Sequence, residues 1–377
     1  MSQPTLPIHM RRNYFDPVPE LAELRAEQPI SRVATPWGLD VWLVTRYEDV
    51  RAVFGEGARF DADAIGISAA DINLSHSEIR RLLQPDFTAR RVIQLKPRIE
   101  KHVAEHLDLL ARSDKPADFI ETVAKPLPLQ LIFELLGLPV ETQPEFYRLN
   151  SLRLTNTADP QAQADAAAQC RAQMMELVAE NRRNPNDGML GRMVVNHGAE
   201  IDDDTITKLV DLILLSGYES TTSMLGLGVL LLLRNPEQIP LVQDELTVNQ
   251  AVEEMLRYLT PGHSARPRVA TEDIVIGGTT IPKGDVVLCS LHAANRDPEF
   301  VSNPDNVDLS RTQNAHLTFG YGIRRCIGAP LAQVEMSTVY RETFRRFPDL
   351  RLAVPFDQVQ FQSAMVTYSV TALPVTW

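Results

Sequence analysis

The segment of residues 203–233 constrains the fold more than any other part of the sequence. It contains no proline, it is apolar on nearly every side of a helix, and it is long for a helix of a globular protein. We therefore predict a helix that runs through the centre of the protein. Glu219 lies inside this segment and argues against a membrane span. Its carboxylate either reaches solvent or has a function, because burying a carboxylate without a partner costs several kcal/mol of free energy.

Helical spacing of apolar residues also dominates the rest of the chain. It predicts helices over residues 47–54, 78–83, 91–111, 127–136, 161–181, 236–246, 249–259 and 330–347. Alternating patterns predict short strands over residues 41–44, 274–276, 286–289 and 366–370. The expected fold is mainly α with small β-sheets, an α+β arrangement. Because no repeat, linker or low-complexity stretch interrupts the sequence, we expect a single domain over residues 1–377.

Composition excludes several classes of protein. The chain of 377 residues has 37 Lys and Arg against 49 Asp and Glu, a formal net charge of −12, which repels the phosphates of nucleic acids. Cys170, Cys289 and Cys326 lie far apart and form no C-x-x-C pair, so neither a disulfide framework nor a structural zinc site is indicated. The N-terminal residues contain no apolar signal-peptide core. We expect a cytoplasmic protein without a membrane anchor.

The most informative motif is the Phe-Gly-Tyr-Gly-Ile-Arg-Arg-Cys-Ile-Gly segment from Phe319 to Gly328. Two glycines in a tight loop allow a flat or bulky group to approach closely. Cys326 stands just before a predicted helix, whose N-terminal N–H groups favour a thiolate, and Arg324 and Arg325 act in the same direction. A stable thiolate can bind a soft metal or act as a nucleophile.

Other interpretations of this loop are less well supported. A dinucleotide-binding G-x-G-x-x-G motif would need glycine at position 325, where the chain has arginine. A cysteine hydrolase would need a base such as His263, His292 or His316, but no hydrolase signature accompanies Cys326. A buried structural cysteine is the third interpretation, and the spacing of the aromatic, glycine and cationic residues around Cys326 speaks against it.

The loop resembles the haem-ligand loop of the cytochrome P-450 family, specifically the soluble bacterial type. The resemblance implies the P-450 fold with a long central helix across the haem, haem b as cofactor and the Cys326 thiolate as axial ligand. Glu254 and Arg257 match the E-x-x-R motif of the family, and with residues 295–298 they look like its structural network behind the haem.

The resemblance also implies further cofactor-binding residues. The family binds the two haem propionates with cationic side chains. The positions in this sequence that match are His76, Arg80, Arg268, His316 and Arg324, with Phe319 and Gly328 in the loop itself.

Residues 216–221 of the predicted central helix resemble the oxygen-activation segment of the family. Ser216 replaces the usual alanine and Ser220 the usual threonine, so the segment departs from the pattern twice. Gly217 is implied to leave room for dioxygen, and Glu219 with the hydroxyls of Ser220 and Thr221 to relay protons.

The resemblance implies a haem-thiolate monooxygenase that inserts one oxygen atom from O2 into an apolar small molecule, such as a natural-product intermediate. The chain has no length left for a fused reductase domain, so electrons are expected from a separate ferredoxin and its NAD(P)H-ferredoxin reductase. Arginines near the motifs on the cysteine side of the haem are hypothesised to form a docking patch for the ferredoxin. They are Arg80, Arg81, Arg90, Arg91 and Arg325.

Family positions also suggest walls for a substrate pocket, over residues 64–73, 148–157, 212–216, 259–264 and 364–366. Individual candidates are Ile65, Ile67, Leu215, Ser216, His263, Ser264 and Met365. This mixture of apolar and polar groups does not distinguish a free substrate from one attached to a carrier protein.

Two other functions stay open. A haem-thiolate enzyme that uses peroxide or catalyses oxidative coupling would share Cys326 but would not need Glu219 and Ser220 as a relay. A non-enzymatic haem carrier or sensor would have no use for an acid and a hydroxyl in the central helix.

Overall fold

The structure is a computed structural model that describes residues 6–35, 39–62, 72, 74–155, 159–265, 267–313, 315–363 and 365–377. Its helices are α1 (Pro19–Glu27), α2 (Tyr47–Gly55), α3 (His76–Leu83), α4 (Ala89–Arg112), α5 (Pro126–Leu136), α6 (Gln143–Leu154), α7 (Pro160–Arg183), α8 (Met189–His197), α9 (Asp203–Gly217), α10 (Glu219–Arg234), α11 (Ile239–Gln243), α12 (Val248–Leu259), α13 (Leu291–Asn295) and α14 (Ala329–Arg346). The strands are β1 (Arg12–Asn13), β2 (Asp16–Pro17), β3 (Ile30–Ala34), β4 (Asp40–Val44), β5 (Phe60–Asp61), β6 (Ala117–Asp118), β7 (Arg268–Ala270), β8 (Ile274–Ile276), β9 (Thr279–Ile281), β10 (Val286–Cys289), β11 (Arg351–Leu352), β12 (Phe361–Gln362), β13 (Ser369–Val370) and β14 (Pro374–Thr376). The predicted class, mainly α with small β-sheets, is confirmed.

Capping residues mark several of the helix ends. Ser75 caps α3 in a reciprocal arrangement with Glu78, and Asp202 caps α9 by accepting the backbone N–H of Thr205 at 2.8 Å. Gly137 ends α5 in the left-handed conformation, with φ of 77°. These caps satisfy backbone groups that the helix itself leaves without partners.

The chain forms two compact units. The described residues of Met1–Gly66, Arg234–Cys326 and Thr367–Ser369 form the first. A five-stranded sheet in the order β3-β4-β10-β7-β5 organises it, with β4 and β10 parallel and the other neighbouring strands antiparallel. Tyr47, Val50, Val53 and Phe54 of α2 belong to the same buried cluster as Val287 and Cys289 of β10.

The described residues of Ile67–Leu233, Ile327–Val366 and Val370–Trp377 form the second unit. Helix α4 packs against α14, α6 against α7, and α7 against α9, with a small sheet in the order β11-β14-β6. The Tyr340 hydroxyl of α14 donates to the Met224 carbonyl of α10 at 2.6 Å. The expectation of a single domain over the whole chain stays a prediction.

The predicted central helix is divided in two. Helix α9 ends at Gly217, Tyr218 has φ of −114°, and α10 begins at Glu219. The Ser216 hydroxyl donates to the Leu212 carbonyl at 2.6 Å, and the Ser223 hydroxyl to the Glu219 carbonyl at 2.9 Å, on either side of the break. Hydroxyls that bond to carbonyls one turn earlier bend helices, which accounts for the interruption. No helix of the described residues is both long and apolar enough to cross a membrane.

Candidate active site

The part of the Cys326 loop from Phe319 to Cys326 belongs to the first unit, and backbone hydrogen bonds hold it in a turn. The Cys326 N–H donates to the Phe319 carbonyl at 2.8 Å, and the Gly320 N–H to the Leu317 carbonyl at 2.8 Å. Gly320 and Gly322 have φ of 73° and 71°, a region that favours glycine. A Cβ on Gly322 would lie 3.3 Å from the Phe54 carbonyl oxygen of α2. The two glycines therefore give the loop a turn that other residues would strain.

Cys326 differs from the other two cysteines in its exposure. Cys326 is exposed, whereas Cys170 and Cys289 are buried. Burial raises the pKa of the Cys289 thiol to about 12 and also raises the pKa of the Cys170 thiol. Among the three cysteines, Cys326 alone combines the glycine loop with an accessible sulfur.

Two arginine side chains of the first unit lie over aromatic rings at or next to this loop. The Arg268 guanidinium lies 4.4 Å from the centre of the Phe54 ring, and Arg325 lies 5.8 Å from the Phe319 ring. The His316 ring lies 5.9 Å from the Phe319 ring, and its Nε2 is 3.3 Å from the Glu253 carboxylate. Arg324 is partly buried in the single 3₁₀ turn Gly322–Arg324. Sequence reasoning missed Phe54, which contacts both Arg268 and the loop.

Glu254 and Arg257 form a buried ion pair on α12. Arg257 donates from Nε and Nη2 to the two carboxylate oxygens at 2.7 and 2.8 Å, and both side chains are 0% exposed. Arg257 also donates to the carbonyls of Asn295 and Pro304, each at 2.9 Å. The Glu254 carboxylate accepts the Asp308 N–H at 3.1 Å. The pair thereby ties α12 to the chain that leads into the Cys326 loop.

Residues 295–297 extend this network. Asn295 donates to the hydroxyls of Thr260 and Thr318 at 2.8 and 3.0 Å and accepts the Leu317 N–H at 2.7 Å. Its amide thus connects the end of α12 with the start of the Cys326 loop. The Asp297 carboxylate accepts the Tyr47 N–H at the start of α2 at 2.8 Å.

The second unit carries the remaining candidates. His76 and Arg80 lie four residues apart on α3, so they share one face of the helix. Around the break between α9 and α10, Ser216 and Ser220 are exposed, Gly217 and Glu219 are partly buried, and Thr221 is buried. A Cβ on Gly217 would lie 3.1 Å from the Ile132 side chain of α5. Ser220 is therefore the accessible hydroxyl beside Glu219.

Comparison with known proteins agrees with this geometry. A family model described as cytochrome P-450 matches residues 246–359. Cytochrome P-450-SU2 of Streptomyces griseolus is 37% identical over 383 residues, which cover 96% of this chain and 94% of that protein. Nocardicin C N-oxygenase of Nocardia uniformis subsp. tsuyamanensis is 38% identical over 389 residues, 97% of this chain and 98% of that protein. The crystal structure of GfsF has a TM-score of 0.90 at 34% identity and covers 98% of each chain.

The chain belongs to the cytochrome P-450 family. As a P-450 it is an oxidoreductase that binds haem with a cysteine thiolate as axial ligand. The expected P-450 fold is likewise confirmed. The residues present fit this cofactor, because an exposed cysteine stands in a left-handed glycine turn and arginine and histidine side chains suit carboxylates such as the propionates.

Glu219 has the electrostatics of a buried acid in this P-450. Burial raises the pKa of Glu219, and the positive charge of Lys125 acts in the opposite direction. The Lys125 ammonium donates to both carboxylate oxygens of Glu121 at 2.8 and 3.0 Å and lies 4.2 Å from the centre of the Tyr147 ring. Glu219 therefore favours its protonated form more than an exposed glutamate does.

The predicted pocket residues are found in different environments. Ile65 and Ile67 lie outside the described residues. In the first unit, His263 is buried with its ring 6.1 Å from the Tyr368 ring, and Ser264 is partly buried. In the second unit, Met365 is buried and pairs with Thr155 at the end of α6. Leu215 is partly buried.

One surface cleft of the second unit contains none of the predicted catalytic or cofactor-binding residues. Its volume is about 500 Å³, and Arg91, Arg192, Met189 and Met193 are among its lining residues. Arg192 forms an ion pair there with Asp86. The size of a cleft alone therefore does not identify the active site of this P-450.

Proposed function

We propose that this P-450 is a monooxygenase that inserts one oxygen atom from O2 into an apolar small molecule, with electrons from a ferredoxin and an NAD(P)H-ferredoxin reductase in the cytoplasm. The observation that carries the proposal is the Cys326 loop, in which the exposed cysteine follows two left-handed glycines. The absorption spectrum of the reduced, carbon-monoxide-bound protein tests it first. A Soret band at the position typical of a neutral imidazole ligand would contradict thiolate ligation.

The proposed cofactor site assigns a role to each candidate. Cys326 would hold the haem through its thiolate, and the cationic side chains that would pair with the two propionates are Arg268, His316, Arg324, His76 and Arg80. Phe319 and Gly328 shape the loop, and Glu254 with Arg257 hold its scaffold. The bound haem supplies the activation of dioxygen.

The chain itself supplies protons at the break between α9 and α10. Glu219 is the proposed proton carrier, because burial raises its pKa and so favours the protonated carboxyl more than in an exposed glutamate. The exposed Ser220 hydroxyl is the proposed hydrogen-bond donor, with the buried Thr221 as its alternative. Gly217 keeps the same segment free of a side chain.

The proposed substrate class is a natural-product intermediate. Support comes from relatives named nocardicin C N-oxygenase and mycinamicin IV hydroxylase/epoxidase, which are 38% and 37% identical to this chain. Another neighbour, at 35% identity, is OxyB from teicoplanin biosynthesis, solved as a complex with an X-domain. The proposal includes both a free substrate and one attached to a carrier protein, and turnover of the free against the carrier-bound form separates the two.

Docking of the ferredoxin is assigned to Arg80, Arg81, Arg90, Arg91 and Arg325. Arg90 and Arg325 are exposed, whereas Arg81 pairs with Glu200 at 3.3 Å. Exposed basic side chains attract an acidic partner, an effect that salt screens. Reversing the charge of Arg90 and Arg325 together should slow electron transfer, most strongly at low ionic strength. An unchanged rate at low ionic strength would remove these arginines from the docking site.

The departure at Ser220 favours one second candidate, an enzyme that uses peroxide or catalyses oxidative coupling. Such a reaction does not need the serine as part of a proton relay. Turnover under isotopically labelled dioxygen distinguishes the candidates. Label in the product supports monooxygenation, whereas product without label, formed equally well with added peroxide, supports the alternative.

A further inference from the structure

We propose that the ion pair between Arg153 of α6 and Asp211 of α9 is a positioning pair that decides how bulky a substrate the protein accepts. It does so by fixing the C-terminal end of α6 against α9. The inference rests on the proposed function, because it concerns the walls of the substrate pocket. Both residues and all the contacts that follow lie within the second unit.

The pair has the geometry of a strong interaction. Arg153 donates from Nη1 and Nη2 to the two carboxylate oxygens of Asp211 at 2.7 and 2.6 Å, a bidentate arrangement. The Arg153 side chain is 8% exposed and that of Asp211 is 18% exposed. Arg153 Nη1 also donates to the Asn150 side-chain oxygen at 2.9 Å. Salt therefore screens this pair far less than it screens the surface pairs of the same unit.

The end of α6 that this pair fixes is also the edge of a predicted pocket wall. Thr155 directly follows α6 and pairs with Met365, and the Val366 N–H donates to the Leu154 carbonyl at 3.2 Å. Gln163 of α7 donates to the Thr155 carbonyl at 2.7 Å. A shift of α6 would therefore move Thr155 and Met365 together.

Asp211 connects this wall to the oxygen-activation segment. Leu215 lies four residues after Asp211 on α9, one helical turn further along the same face, and Ser216 follows it. The ion pair thus sets the spacing between two predicted walls, one at Thr155 and Met365 and one at Leu215 and Ser216. Because a buried pair holds one discrete geometry, it limits the size of the molecule between these walls.

The test uses the haem-loaded protein and two azoles as probes, since azoles that bind haem iron shift its Soret band. Imidazole reports a small ligand, and clotrimazole reports a bulky one. Dissociation constants are measured for the native protein, Arg153→Gln, Asp211→Asn and the charge-swapped double variant Arg153→Asp with Asp211→Arg. Arg183→Gln is the matched control, because it removes the exposed pair of Arg183 with Glu180 on α7.

We expect Arg153→Gln and Asp211→Asn to shift the ratio of the two constants about tenfold in favour of clotrimazole, while imidazole binding stays unchanged. The charge-swapped variant should return the ratio towards the native value, and Arg183→Gln should not alter it. Hydrogen exchange of the Val366 amide gives a second readout and should become faster in the single variants and slower again in the swap.

An unchanged ratio in both single variants would overturn the positioning role, as would an opposite shift or an equal change in Arg183→Gln. Failure of the swap to restore either readout would show that the variants act through general destabilisation. Absence of any Soret shift with imidazole in the native protein would contradict the proposed function instead, so the two failures are distinguishable.

Discussion

Removal of one partner of the buried Glu254–Arg257 pair should prevent the protein from accumulating in a folded, haem-loaded form. Glu254→Ala leaves the Arg257 guanidinium, 0% exposed, without the carboxylate that accepts its two shortest hydrogen bonds. The Asp308 N–H loses its acceptor as well. A buried charge left without its partner costs about 3 to 5 kcal/mol.

This cost is a large share of the free energy of unfolding of a typical domain, about 5 to 15 kcal/mol. The loss should appear in urea unfolding followed by tryptophan fluorescence and in the yield of haem-loaded protein. Arg257→Ala should also destabilise the protein, although Arg311 Nε, 3.2 Å from the Glu254 carboxylate, keeps a cation beside the buried acid. Arg183→Ala, which removes an exposed pair, should change the free energy of unfolding by less than about 0.5 kcal/mol.

A double variant separates the unpaired charge from the lost side chains. Glu254→Leu combined with Arg257→Met removes both charges and keeps apolar volume, so it should be less destabilised than either single variant. Stable, haem-loaded protein from both Glu254→Ala and Arg257→Ala would refute the argument that burial makes this pair structurally necessary.

Three further predictions concern the site and its surroundings. Cys326→Ala should abolish the spectrum of thiolate-ligated haem while Cys289→Ala retains it, and the opposite result would move the ligand to β10. Ser220→Ala should lower the product formed per NAD(P)H and raise hydrogen peroxide release, whereas Glu219→Gln should slow turnover; unchanged coupling in Ser220→Ala would exclude that hydroxyl. Burial raises the pKa of Glu335 to about 8, so its ionisation opposes folding as the pH rises from about 4.5 to 8. Glu335→Gln should therefore stabilise the protein more at about pH 8 than at about pH 5, by unfolding measurements, and an equal effect at both would show that the pKa of Glu335 is the same in the folded and the unfolded protein.

Helix spacing predicted the long amphipathic elements well and the short or polar ones poorly. The predicted helices over residues 127–136 and 249–259 agree with α5 and α12 to within one residue at each end. Helices α1, α6, α8 and α13 were missed. The apolar residues of α1 and α6 do not form a continuous stripe, and α13 has only five residues, so tertiary packing rather than pattern determines these elements.

Some parts of the candidate site could be predicted from consecutive residues, whereas others depend on contacts between residues that are far apart in the sequence. The Cys326 loop is contained in ten consecutive residues, so its sequence alone indicated a haem ligand. The family resemblance linked Asn295 to Glu254 and Arg257, but their partners at Pro304 and Asp308 come from distant positions and carry no local signal. Arg153 and Asp211 are likewise separated by 58 positions, and only the fold brings their side chains together.

The break at Tyr218 places the partly buried Glu219 carboxyl, the proposed proton carrier, at the start of α10. In an uninterrupted helix Glu219 would lie in the middle, away from a helix end. Because α10 begins at Glu219, the carboxyl stands in the first turn of a new helix, where the helix dipole favours a negative charge. The charge of Lys125 acts in the same direction, against the effect of burial. The pKa of Glu219 is therefore raised by less than burial alone would raise it, which favours the proton exchange proposed for this residue.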